Sequence, residues 1–191
     1  MIGQQIQAAE LKNRAVMTPS VTQIISPYID FSKIPADVLL TASERGSLVH
    51  HYCLEYYAKG FFMMVPDEIK GYYSSFIKWF DLMVDEVLLV EERLVDRDLM
   101  FSGQIDLLAK TKQGEVILVD LKTPLSLSRS WRIQLSLYNR LCVVNGYKPD
   151  RIGSLRLSPE GKIAKIDWYQ DQAADLNIGL QCLNVFRYFN L

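Results

Sequence analysis

The chain has 191 residues, 49% hydrophobic and 23% charged, with a net charge of −1. At roughly 150 residues per domain this favours a single domain, with a core large enough to need no disulfide or structural metal. The near-neutral balance excludes bulk basicity as a means of holding nucleic acid, so any such contact depends on a local patch or on metal ions that offset phosphate charge.

The opening segment, MIGQQIQAAELKNR, is polar and has no apolar signal core. No stretch approaches ~18 consecutive apolar residues, so the expectation is a soluble, cytoplasmic protein with no membrane partner. Ser20 followed by Gln23 has capping-box spacing and predicts a short helix that Pro27 stops. Thr41 and Glu44 repeat that spacing and predict a longer helix ending near Lys59-Gly60. Pro66-Asp67-Glu68 predicts a third helix, running to about Asp85, with its acids on the positive dipole end.

The hydrophobic period then changes. Residues 87–95, 99–110 and 115–122 are rich in β-branched and apolar types and read as strands. A helix from about Arg129 to Asn145 follows, closed by Gly146, then short strands at 152–157 and 162–168 and a last helix over about 171–189. Cys53, Cys142 and Cys182 are far apart with no C-x-x-C pair, which reads as free thiols rather than a zinc site or disulfide framework. The order implies a single α/β domain over 1–191, with a central mixed β-sheet flanked by helices. Its helical part covers about 19–86, and the sheet and its helices about 87–191.

The second and third strands are joined by Lys112-Gln113-Gly114, a three-residue loop with Gly last. That loop suits a type I turn followed by a left-handed Gly, and it pairs Thr111 with Glu115. The register then sets Asp106 directly opposite Asp120, Cβ atoms about 4.5–5.5 Å apart, with Lys122 on the same face. Carboxylates this close repel, and their neighbours Ile105, Leu107, Leu108, Ile117, Leu118 and Val119 are apolar. Burying such a pair is costly unless a cation neutralises it, and a hard divalent ion such as Mg²⁺ or Mn²⁺ suits two carboxylates. A neighbouring Lys can orient or deprotonate a water, or stabilise charge growing on a phosphate. An isolated D-x-K is a solvated ion pair in about nine cases of ten. The opposed second Asp shifts the balance towards a site.

Four blocks in order resemble the PD-(D/E)XK nuclease superfamily, particularly its RecB-like and phage-type exonuclease branch. Arg45-Gly46-Ser47-Leu48-Val49-His50 resembles the G-x-x-V-H helix, Gly103-Gln104-Ile105-Asp106 the G-x-x-D strand, Val119-Asp120-Leu121-Lys122-Thr123 the D-x-K-T strand, and Gln134-Leu135-Ser136-Leu137-Tyr138 the Q-L-x-x-Y helix. Pro19-Ser20-Val21-Thr22 resembles the P-S-V-T opening of some phage and mitochondrial exonucleases. The resemblance implies a restriction-endonuclease-like αβββαβ core and a Mg²⁺- or Mn²⁺-dependent DNase, an exonuclease on DNA ends or single strands before an endonuclease. It implies Asp106, Asp120, His50 and the Leu121 carbonyl as metal ligands, and Lys122 as the residue assisting the attacking water. Gln134 and Tyr138, on one helix face, would support the site or touch DNA. Recombination, repair and phage DNA processing are the settings it suggests. The iron–sulfur cysteines of some RecB-like nucleases and any helicase motif are missing, so the resemblance implies a stand-alone nuclease or one that borrows a motor from a partner such as a helicase or recombination protein.

Plainer readings stand beside these. His51 follows His50 and competes for the same assignment, which the matching block gives to His50. Gln134 and Tyr138 are also what a helix uses to cap and pack. Trp131, with Arg129 and Arg132, suits base stacking and phosphate contact, but burial is at least as good an account. Glu91 or Glu92 could add an outer carboxylate, and a solvated face explains both better. A structure- or site-specific endonuclease and a non-cutting DNA- or protein-binding module are the rival functions, and oligomeric state is not legible.

Overall fold

The computed structural model describes residues 18–61, 63–124, 126–170 and 172–190, so the polar N-terminal segment and Asp171 lie outside it. Both halves of the expected capping box form at α1 (Val21–Ile25). The Ser20 hydroxyl accepts from the Gln23 N–H, and the Gln23 side chain accepts from the Ser20 N–H. A 3₁₀ turn through Pro27 ends it. The Pro19 carbonyl accepts from the Ser102 N–H, which ties this corner to the sheet.

The next helix, α2 (Ala36–His50), begins before the expected cap at Thr41, with Pro35 at its N-cap and Asp37 in its first turn. Thr41 does not cap it; its hydroxyl donates back to the Asp37 carbonyl from inside the helix. Immediately after His50 the winding loosens into a π-helix over His51–Ala58. α3 (Lys70–Met83) follows a 3₁₀ turn, and it stops two residues short of Asp85 because β1 (Val84–Asp96) already begins there. β2 (Phe101–Thr111), β3 (Val116–Lys122), α4 (Ser130–Val144), β4 (Arg151–Arg156), β5 (Lys165–Tyr169) and α5 (Gln172–Asn190) complete the chain.

The strands form one mixed sheet in the order β1-β2-β3-β4-β5, antiparallel except for the β3–β4 pair that α4 connects. On one face Val49, Leu54 and Phe76 from α2, the π-helix and α3 pack on Leu107, Val119 and Leu121. On the other, Ile24, Leu135 and Leu183 from α1, α4 and α5 pack on Ile105, Leu108 and Leu118. The result is the expected single α/β domain, helices covering both sides of a central sheet. No described helix is long and apolar enough to cross a membrane.

The hairpin register is the one the loop predicts. Leu107 faces Val119, Lys110 faces Val116, and Gly114 takes φ 87°. Gly103 lies under α4, where an added Cβ would come within 2.6 Å of the Tyr138 ring. The β1–β2 connection, Arg97-Asp98-Leu99-Met100, contains no Gly, and Met100 itself takes φ 47°. Asp96, fully buried, closes it: Oδ1 accepts from the Asp98 and Leu99 N–H groups at 3.0 and 2.8 Å, and Oδ2 accepts from Arg140 Nε at 2.7 Å. That turn sets Asp96 opposite Phe101 and Glu92 opposite Ile105, which leaves Glu91 across from Asp106. Asp96→Ala should therefore lower stability by roughly 3 kcal/mol, the low end for losing one partner of a buried pair, because Arg140 keeps some solvent. Urea unfolding checks this; an unchanged midpoint would show that the turn holds its register without Asp96.

Candidate metal centre

Three side chains from three elements converge where β2 and β3 separate. His50 ends α2, Glu91 lies mid-β1 and Asp106 lies mid-β2. His50 Nδ1 is 3.5 Å from Asp106 Oδ2 and 3.7 Å from Glu91 Oε1. One ligand atom from each lies within 4.8 Å of both others. Two ligands of one Mg²⁺ ion lie at most about 4.2 Å apart, so a shift of a few tenths of an ångström closes the set on a cation.

Local structure aims each group. Backbone pairing between β2 and β3 stops at Leu107–Val119, and beyond it the Leu121 N–H donates to Asp106 Oδ2 at 2.8 Å. The Leu121 carbonyl lies 3.1 Å from His50 Nε2. A proton on Nε2 donated to that carbonyl leaves the Nδ1 lone pair facing the two carboxylates, the tautomer a metal ligand needs. Glu91 reaches the cluster from a backbone at φ 49°, left-handed for a residue that is not glycine. The Gln104 side-chain amide donates to its other oxygen.

Asp120 and Lys122 form the adjoining half. The Lys122 ammonium contacts Asp120 Oδ2 and donates to Gln134 Oε1 at 3.0 Å, while Gln134 Nε2 donates to the Tyr138 hydroxyl at 3.1 Å. Asp120 Oδ2 touches that ammonium outside hydrogen-bond geometry and has no other polar partner. The ammonium also sits 5.5 Å from the centre of the Trp131 ring.

Six of the residues singled out in the sequence therefore meet in one place: His50, Asp106, Asp120, Leu121, Lys122 and Gln134. Tyr138 is buried behind Gln134 and supports it. One reading changes and two open choices close. Glu91 belongs to the cluster, whereas Glu92 beside it is exposed. Trp131 is buried under Lys122, and Arg132 is tied to Asp175, so neither offers a free stacking face. His51 is exposed, which leaves His50 as the inward histidine.

The electrostatics show an anionic cluster short of positive charge. Burial pushes Asp106 up to about 7; His50 and Lys122 oppose this, while Asp120 and Glu91 add to it. Burial opposes the charged form of His50, yet Asp106, Glu91 and Asp120 outweigh it and raise the imidazole to about 9. Imidazole and carboxylate donors around an under-neutralised pocket, with one carboxylate oxygen lacking a hydrogen bond, fit a hard divalent cation.

No protein-family model and no curated protein matches the sequence. Among solved structures the chain is similar to the crystal structure of SSO0001, with 15% identity and a TM-score of 0.44 over 97% of this chain and 86% of that one. It is also similar to LHK-Exo in complex with dAMP, with 10% identity and a TM-score of 0.45 over 91% and 87% of the two chains. Likenesses this distant leave function to the site's own geometry.

Both raised groups act in one direction. Asp106 contributes stability that is full below its unfolded value of 3.8 and is lost as pH rises through about 7. His50 contributes stability that is full below 6.5 and is lost through about 9. Metal-free protein should melt lower at about pH 8 than at about pH 6. Added Mn²⁺, which displaces those protons, should raise the melting temperature more at the higher pH. Thermal melts at both pH values with and without Mn²⁺ measure this; a metal effect that is equal at both, or absent, would reject the cluster as a cation site.

Proposed function

We propose that this chain is a divalent-metal-dependent deoxyribonuclease of the PD-(D/E)XK type that hydrolyses phosphodiester bonds, working as an exonuclease on DNA ends or single strands. The observation that carries the reading is the convergence of His50, Glu91 and Asp106 beside Asp120 and Lys122. The αβββαβ order of the core and the spacing of the four sequence blocks support it.

Mg²⁺ or Mn²⁺ held by His50, Glu91 and Asp106, with Asp120 and the Leu121 carbonyl adjoining, would supply Lewis-acid stabilisation of charge on the phosphate and lower the pKa of a water. The chain's own groups do the rest. Lys122 Nζ carries the proton donors that face the attacking water or the phosphate oxygen gaining charge. Gln134 is a positioning residue: the Tyr138 hydroxyl fixes the turn of its amide, and its oxygen then holds the Lys122 ammonium in place. The Leu121 peptide orients Asp106 through its N–H and His50 through its carbonyl.

The deciding experiment is cleavage of end-labelled linear DNA, single- and double-stranded, with Mg²⁺, with Mn²⁺ and with EDTA. Metal-dependent shortening from an end is expected, with circular single-stranded DNA left intact. Linearisation of the circle would make the enzyme an endonuclease. Asp120→Ala should abolish cleavage, and Lys122→Ala should slow it by about 10²–10⁴-fold, with both variants folded by circular dichroism. Cutting at the wild-type rate in either variant would overturn the assigned roles.

A further inference from the structure

A cavity of about 510 Å³ opens directly beside Lys122 and Gln134, between α2 with the segment before it and the connection from β3 to α4. Its volume lies within the ~300–1,000 Å³ of pockets that bury a small organic group. One wall is apolar and partly open to water: Phe31 is 44% exposed, Ile34 42% and Val38 53%. The facing wall, from the end of β3 into α4, is polar and carries Lys122, Thr123, Ser126, Ser128 and Gln134. Arg45 also lines the cleft, from α2, its guanidinium 5.7 Å from the Tyr72 ring, its Nε buried without a hydrogen-bond partner, and no acid among the described residues pairs with it. A guanidinium and an ammonium lining one cleft favour an anionic group there.

We propose that this cleft receives an unpaired nucleobase of the strand being cut, and so selects single-stranded DNA over blunt duplex. The base lies against Phe31, Ile34 and Val38, and its sugar–phosphate side faces Arg45 and Lys122. This rests on the nuclease reading of the adjoining site and deepens it to a substrate class. A nucleotide has one flat apolar part and one anionic part, and the cleft offers a wall for each. The cleft is continuous with Lys122, so whatever fills it is continuous with the strand at the metal cluster. A base inside a duplex has its faces stacked and its edge bonded, and entering such a pocket first costs unstacking and unpairing.

The test is equilibrium binding by fluorescence anisotropy with the full chain carrying Asp120→Ala, which prevents cutting. Three labelled DNAs are compared: a single strand, the same strand with abasic sites, and a blunt duplex. Phe31→Ala and Val38→Ala are each added to that background; both positions are exposed enough to tolerate change. The single strand should bind at least about fivefold tighter than either other DNA, the factor expected for one base–aromatic contact. Each added substitution should weaken binding of the intact strand by a similar factor and leave the abasic strand unaffected. Equal affinity for duplex and single strand, or changes within about twofold on removing the bases or Phe31, would overturn the proposal whether or not the wild type cuts DNA. Base-dependent binding alongside wild-type protein that never cleaves would keep the cleft and remove the nuclease reading. Binding to none of the three DNAs would remove both.

Discussion

The candidate site depends on what happens to the two backbone groups of Leu121. In an uninterrupted antiparallel ladder its N–H and C=O would both bond to β2. Here the ladder stops two residues earlier, the N–H goes to the Asp106 carboxylate, and the carbonyl lies on the His50 imidazole. A buried peptide group must find a partner, so this exchange is obligatory once the strands separate. It orients one carboxylate and one imidazole from the backbone, and Glu91 and Asp106 then face the imidazole's other nitrogen. Leu121 is itself 1% exposed, packed among Val119, Leu155 and Leu157, so the peptide plane has no freedom to turn away.

The same separation distributes the chemistry over the two faces of the sheet. His50 comes from the helical layer of α2 and α3, and Gln134 and Tyr138 come from the layer of α4. Asp106 and Asp120 sit between them, where β2 and β3 part. Positive charge therefore reaches the carboxylates from both sides, imidazole from one and ammonium from the other. Burial outweighs both: Asp106 is still raised to about 7 with both present. A carboxylate whose ionised form is penalised by burial, with two further carboxylates adjoining, is where a bound divalent ion is favourable.

Much of this was legible in the sequence, and the part that was not has a physical reason. The Lys112-Gln113-Gly114 loop has a turn type with one register, so the pairing from Lys110–Val116 to Leu107–Val119 followed from counting; the ladder ends there, one step short of Asp106 and Asp120. The Ser20–Gln23 cap was equally local and formed as read. Glu91 was different. Its place opposite Asp106 depends on the β1–β2 turn, which has no Gly or Asn-Gly signal. That turn is closed by a buried Asp96 whose second oxygen is held by Arg140, forty-four residues further along the chain. A turn specified by a tertiary contact leaves no local trace. The start of α2 was missed for a related reason: Thr41 has the residues of a cap, but the helix had already begun at Pro35, and its hydroxyl serves the Asp37 carbonyl instead.

The strain in this protein is not spread evenly. Several buried polar side chains elsewhere are satisfied: Ser75 accepts from the Ser158 N–H, Ser154 from the Tyr169 hydroxyl, Thr111 from the Glu115 N–H, and Asp96 from three donors. Among the described residues, an Asp120 oxygen whose only polar contact is the Lys122 ammonium, a carboxyl held far from its usual range on Asp106 and a left-handed Glu91 fall together at one end of the β2–β3 pair, while a left-handed Met100 and an unbonded Arg45 Nε lie singly elsewhere. The left-handed backbone alone costs of order 1–3 kcal/mol. Asn139 on α4 has a lone unpaired oxygen too, but its amide nitrogen is bonded to Gln172 and no charge is involved. A fold that satisfies Asp96 with three donors is able to satisfy a carboxylate. That it leaves this group of them under-satisfied together is what separates a binding centre from a set of buried ion pairs.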